Sequence, residues 1–147
     1  NIQTFAESAD QEATMHAIVH CDWRAAKFLA RLLKEKRIEE YVGEGTMYLL
    51  WCGTDLAGFI ILGEKDGLPD PNRTPWLSFL FVAPAYRGRR LGKRLIDHAC
   101  EAAKESGYQQ VFLYTDHEGL YEKYGFTHLE SRKDVWGDMS RIYMRTL

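Results

Sequence analysis

Residues 76–114 constrain the fold more than any other part of the chain. Leu77-Ser78-Phe79-Leu80-Phe81-Val82 is a nearly apolar run closed by Pro84. Together with Trp76 it reads as a central strand covered on both faces. A glycine-bearing basic segment follows, Tyr86-Arg87-Gly88-Arg89-Arg90-Leu91-Gly92-Lys93-Arg94. From there apolar residues recur at helical spacing: Leu91, Leu95, Ala99 and Ala103 share one side, and Lys93, Asp97, Glu101 and Lys104 the other. Gly107 ends this helix, and residues 110–114 form the next strand. Strand, crossover helix and strand in that order make a parallel pair joined right-handedly. A helix that starts in such a loop leaves its first N–H groups unpaired at the positive end of its dipole. Five of the eight residues 87–94 are cationic, so the junction is a site for a phosphorylated ligand.

The remaining elements dress this unit. Residues 2–6 read as a short first strand and 10–21 as a helix. Asp22 offers a cap for a second helix over 23–41 that carries Phe28, Leu29, Leu32 and Leu33 on one face and ends at Gly43 and Gly45. Strands over 46–52 and 56–64 flank Gly53-Thr54-Asp55, a hairpin signal. Pro69, Pro71 and Pro75, with Gly67 and Asn72, mark 66–75 as an exposed loop. A short helix near 119–124, a turn at Gly125-Phe126 and strands over 127–132 and 140–145 complete the chain. The class is therefore α/β with antiparallel portions, and 147 residues fit one domain spanning 1–147.

Several classes of function are excluded. A net charge of −2 gives no general basic field for nucleic acid or an anionic membrane, which makes the local cluster at 87–94 stand out. No apolar run is long enough to span a bilayer, and Asn1-Ile2-Gln3-Thr4 reads as folded sequence, not as a leader. Cys21, Cys52 and Cys100 share neither a disulfide framework nor a metal-ligand spacing, so a reducing cytoplasm and no metal are expected. Cys100 reads as core packing.

Spacing sorts the phosphate loops. A Walker loop has four residues between its first Gly and Gly-Lys, then Ser or Thr, whereas only three separate Gly88 from Gly92 and Arg94 follows Lys93. A dinucleotide loop needs three glycines, and only Gly88 and Gly92 are present. The pattern that remains is Arg/Gln-x-x-Gly-x-Gly/Ala after a strand ending in Val-x-Pro. Residues 82–92 resemble this signature of the GCN5-related N-acetyltransferases. Gly119-Leu120-Tyr121-Glu122-Lys123-Tyr124-Gly125-Phe126 resembles the family's second hallmark, with the Tyr and the Gly-Phe in place. The likeness covers residues 56–129 well and the rest by element order. Arg90 stands where the family usually has Gly, in an expected helical conformation, and Tyr114-Thr115-Asp116 stands where an Asn is common.

The resemblance implies a largely antiparallel mixed sheet with one splayed parallel pair and helices on both faces. It implies acetyl-CoA as donor, with no metal. The backbone of Phe81, Val82 and Ala83 would hold the pantetheine arm, and an N–H near Val82 would polarise the thioester. Arg87, Gly88, Arg89, Arg90, Leu91, Gly92, Lys93 and Arg94 would hold the pyrophosphate. Tyr121 matches the general acid, with Tyr124 three places too late for the pattern. The base is left unassigned among Asp116, His117, Glu118, Glu64, Asp66 and His20, and Trp23 and Trp76 are candidates to line the acceptor side. The implied activity is direct acetyl transfer to a primary amine of a small molecule or peptide. A non-catalytic acyl-CoA-binding sensor or structural module is the alternative. No nucleic-acid or membrane partner is expected. The final strands of relatives often pair between subunits, which allows a homodimer and leaves the oligomeric state open.

Overall fold

The computed structural model describes residues 1–147. Seven strands form one sheet: β1 Ile2–Thr4, β2 Gly45–Cys52, β3 Asp55–Gly63, β4 Trp76–Val82, β5 Gln110–Thr115, β6 Thr127–Lys133 and β7 Met139–Thr146. Their spatial order is β1-β2-β3-β4-β5-β7-β6. All neighbours pair antiparallel except β4 and β5, as the strand–helix–strand order requires.

Helices cover both faces because β2 and β3 are apolar on both. Met47, Leu49, Phe59 and Ile61 pack with Ile18 of α1 (Gln11–Val19) and with Ala26, Leu29 and Ala30 of α2 (Arg24–Lys34). The alternate residues Tyr48, Leu50 and Ile60 turn to the other face, against Leu95, Ile96, Ala99, Cys100 and Ala103 of α4 (Leu91–Glu105). The period of two along the strands and the single stripe on α4 meet in one packed layer. Cys100 is buried in it, and burial pushes its thiol up to about 11, so it packs and does not react.

Three local expectations change. The helix expected over 23–41 is two helices, α2 and α3 (Ile38–Val42). Lys36 takes a left-handed φ of 57°, and the N–H groups of Lys36 and Arg37 return to the carbonyls of Leu33 and Leu32, a helix-ending motif normally built on glycine. Asp22 does not cap α2, whose first residue is preceded by Trp23 with no side-chain cap; Asp10 caps α1 by accepting from the Ala13 N–H at 3.0 Å. The loop 66–75 is not wholly exposed. The Asp70 side chain is 8% exposed and binds Arg132 at 3.1 Å, which ties the loop to β6.

The sheet opens at one place. Strands β4 and β5 pair only at Trp76↔Phe112 and Leu77↔Leu113, then separate. On its other edge β4 is bulged, because Ile61 pairs with Ser78 and Phe59 with Phe81, leaving Phe79 and Leu80 opposite Ile60. Phe79 carries a φ of 52°, uncommon for a bulky residue. The bulge bends β4 away from β5 and makes a cleft beyond Leu77.

Candidate active site

The end of β4 leads directly into the basic loop. Ala83 donates to the Ala57 carbonyl at 2.8 Å, which makes positions 83 and 81 the hydrogen-bonded pairs toward β3. Val82, between them, points its N–H and C=O the other way, into the opening. Its carbonyl accepts from Arg87 Nε at 3.0 Å. Ala83 also accepts from the Tyr86 N–H at 2.9 Å, so both its polar groups are used within the protein. Of the three positions expected to present backbone to a pantetheine arm, Val82 is the one turned toward the cleft.

The turn that follows is a cradle of donors. The N–H groups of Gly88, Arg89, Arg90, Leu91, Gly92 and Lys93 find no acceptor in the protein, and the first helical bond is from Arg94 to Arg90. Helix α4 has no capping side chain and no acidic residue in its first turn. Arg90 adopts φ 58°, ψ 26°, left-handed and not helical as expected. That conformation explains why glycine is common at this place, and it aims consecutive N–H groups at one point. Gly88, at φ 81°, uses the same freedom. A Cβ on Gly92 would meet only Val82 Cγ2, at 3.7 Å, so the mouth of the turn is open.

The cations divide by task. Lys93 is tied to Asp97 at 2.6 Å, Arg89 lies over the Tyr86 ring at 5.3 Å, and Arg87 braces Val82. Arg90 and Arg94 are exposed and make no ion pair, which leaves their charge for a ligand. A pyrophosphate fits this arrangement of unpaired N–H groups and free guanidinium groups.

Inside the splay lies a cavity of about 260 Å³ lined by Leu77, Ser78, Phe79, Leu80, Thr115, His117 and Tyr121, among others. Tyr121 stands in the short 3₁₀ turn Tyr121–Tyr124 and packs against Phe126 and Tyr143. Its hydroxyl bonds to no protein group, although the residue is only 8% exposed. Burial, with the neighbouring Tyr124 and Asp116, pushes its pKa up to about 12, so the phenol keeps its proton. Tyr124 does not line the cleft and meets Tyr121 edge-on. Ser78 Oγ is also buried there without a partner.

A second cavity, about 360 Å³, adjoins the first and shares Trp23, Asp66, Phe79, Tyr114, Thr115 and Asp116 with it. Of the two tryptophans considered for this side, Trp23 lines it. Trp76 does not: it is fully buried, donates to the Arg73 carbonyl at 2.8 Å and stacks on Tyr114. The base candidates sort in the same way. Glu64 accepts from the Glu44 N–H at 2.6 Å, Glu118 pairs with Arg141 at 3.0 Å, and His20 lies tilted against His16 and lines neither cavity. His117 reaches the smaller cavity, and Asp66 and Asp116 reach both. Burial, helped by the charge of Asp134, pushes Asp66 up to about 7. Three features left no mark in the sequence reading: the Phe79 bulge, the orphan Ser78 hydroxyl, and the wall formed by Tyr41, Asp134 and Trp136. No group of His, Cys, Asp and Glu side chains is placed to hold a metal ion.

The comparison with known families decides what carries this geometry. Residues 9–126 match the model of the acetyltransferase (GNAT) family. The chain belongs to that family. The uncharacterized N-acetyltransferase YvbK of Bacillus subtilis is 29% identical over 94 residues, which span 60% of this chain and 57% of that protein. A GNAT acetyltransferase of Elizabethkingia anophelis, solved with acetyl-CoA bound, superposes with a TM-score of 0.70 at 17% identity, covering 100% of this chain and 97% of that one. An acetyltransferase of Streptococcus agalactiae gives 0.68 at 24% identity, covering 100% and 98%. The fold expected from the sequence is the fold observed. No helix is long and apolar enough to cross a membrane.

Proposed function

We propose that this GNAT chain transfers the acetyl group of acetyl-CoA directly to a primary amine, with residues 1–147 acting as one domain. The observation that carries the reading is continuity. The cavity that holds the unpartnered Tyr121 hydroxyl is lined by β4 as far as Leu80, and β4 runs on through Val82, unpaired on the β5 side, into the turn whose N–H groups at residues 88–93 are unpaired. The solved relative with acetyl-CoA bound supports the same donor here.

The roles follow from the groups. The turn at residues 87–94 binds pyrophosphate, and Arg90 and Arg94 add charge at its rim. The Val82 N–H donates toward the thioester oxygen, a contact of a kind worth ~3–4 kcal/mol of barrier. Tyr121 supplies the proton that the leaving sulfur needs. A phenol held at about 12 is fully protonated at neutral pH yet can donate to a thiolate forming beside it.

Thiol release from acetyl-CoA with a broad panel of amines tests the reading, comparing the wild type with Tyr121→Phe. Loss of turnover by about 100-fold with unchanged acetyl-CoA affinity is expected. Unchanged turnover removes Tyr121 as the acid. Tight acetyl-CoA binding with no transfer to any amine favours a non-catalytic sensor or structural module instead.

A further inference from the structure

The larger cavity runs from the shared junction toward the β6–β7 hairpin and has walls of two kinds. Trp23, Tyr41, Phe79, Tyr114 and Trp136 present rings, and Asp66, Asp116, Asp134 and Asp138 present carboxylates. No lysine or arginine lines it. The neighbouring Arg132 is held by Asp70 at 3.1 Å and by the Tyr114 hydroxyl at 2.7 Å. Asp134 accepts from the N–H groups of Trp136 and Asp138 and from Ser140 Oγ, which fixes its charge at the hairpin tip.

Asp66 stands apart from the other three. Its carboxylate is half-buried where the two cavities meet and accepts no hydrogen bond from any protein group. A carboxylate that lines both cavities with no donor in the protein is free to accept from a group brought in by a ligand. Four carboxylates with no lining cation favour a positively charged donor, and ring faces bind ammonium groups well.

Building on the acetyl-transfer reading, we propose that this cavity selects an acceptor with at least two cationic amines, a diamine or longer polyamine, and that Asp66 deprotonates the amine that attacks. The second ammonium lies in the outer part, among Trp136, Tyr41, Asp134 and Asp138. An acceptor carrying its own carboxylate is repelled there.

The step balances. The attacking ammonium gives one proton to Asp66, and its freed lone pair forms the C–N bond at the thioester carbonyl. The C–S bond breaks with its electron pair going to sulfur, which takes the Tyr121 proton. The nitrogen's surplus proton restores the phenol, and Asp66 passes its own to water. Burial and the charge of Asp134 hold Asp66 at about 7, near the working pH that suits a base. The groups that face it across the cavities are the carboxylates of Asp116, Asp134 and Asp138, the phenols of Tyr41, Tyr114 and Tyr121, and His117.

Putrescine, butylamine and γ-aminobutyrate share a carbon-chain length and end in a cation, a methyl group and a carboxylate. With acetyl-CoA and the full chain, kcat/KM is expected to fall at least about tenfold from putrescine to butylamine, and further to γ-aminobutyrate. For putrescine it should rise with pH through about 7. Asp66→Asn should lose that limb and about 100-fold of rate, while melting and acetyl-CoA affinity are undiminished. Asp116→Asn, at an exposed carboxylate on the same junction, should keep the limb. Equal rates across the series, or a preference for the carboxylate, overturn the acceptor class and leave acetyl transfer standing. So does turnover of other amines with none of the three. A limb that survives in Asp66→Asn overturns the base. No thiol release with any amine, despite acetyl-CoA binding, overturns the acetyl-transfer reading itself.

Discussion

Arg90 provides the sharpest test of the cradle, because its backbone and its charge make separable contributions. At φ 58° and ψ 26° it lies where an L-residue is disfavoured by about 1–2 kcal/mol and glycine is not. Its side chain is exposed and unpaired, so removing it costs no contact. Arg90→Gly therefore relieves the strain, and the extra freedom of glycine in the unfolded chain takes back roughly 0.5–1 kcal/mol. The net expectation is a gain of about 0.5 kcal/mol. Arg90→Ala keeps the strain and should match the wild type or fall slightly below it. Urea unfolding at constant m-value resolves the order Gly above Arg above or equal to Ala. Binding gives a different order. Both variants lose one cation beside the pyrophosphate site, and a unit charge about 5 Å away in water is worth ~0.8 kcal/mol. Acetyl-CoA affinity by calorimetry should then weaken about fourfold in both at low salt. The gap should close near 0.5 M salt, where the screening length drops to about 4 Å. If the glycine variant unfolds more easily than the alanine variant, the left-handed geometry is wrong. If low-salt affinity is indifferent to both, the charge is idle.

Two other perturbations probe the cleft. Ser78→Ala removes a buried hydroxyl that has no partner and should stabilise the ligand-free protein by about 1 kcal/mol, a rise of ~2–4 °C in melting temperature. A lower melting point would mean that the hydroxyl is satisfied. Asp66 has a folded pKa near 7 against about 3.9 unfolded, so the native state binds the extra proton and loses stability as pH rises from about 4 to 7. Asp66→Asn should exceed the wild type by on the order of 2 kcal/mol at pH 8 in urea unfolding, with the gap closing toward pH 4. A gap independent of pH would show that the carboxylate is well solvated.

What the sequence revealed and what it hid have separate physical causes. The strand 76–82, the helix from Leu91 and the strand at 110 are each set by periodicity over many residues, and the parallel pair follows from their order. The loop 87–94 was legible because its glycines and arginines stand at fixed offsets. The bulge was not, because Phe79 takes its left-handed φ by tertiary demand, with no glycine to announce it. Lys36 hid the break between α2 and α3 in the same way. Asp66 and Asp70 looked like surface residues among prolines, yet one lines both cavities and the other is clamped by Arg132. Long-range placement of a loop leaves no local signature. The chemistry of the donor side was therefore readable from spacing, whereas the acceptor side emerged only when the loop 66–75 and the hairpin at Gly137 met around one space.

The extra residue in β4 also changes the strand's phase. Leu77 and Phe81 are four apart and in an unbroken strand would face the same way. Leu77 packs on the α4 side, whereas Phe81 packs beside Trp23 on the α2 side. The strand thus enters with one parity and leaves with the other. The apolar identity of its residues tolerates exchange far better than their number does. Removing a single residue at 79 or 80 would take out the bulge, leave Phe81 on the α2 side three places from Leu77, and let β4 continue alongside β5. The cleft, in this sense, is encoded as an odd count.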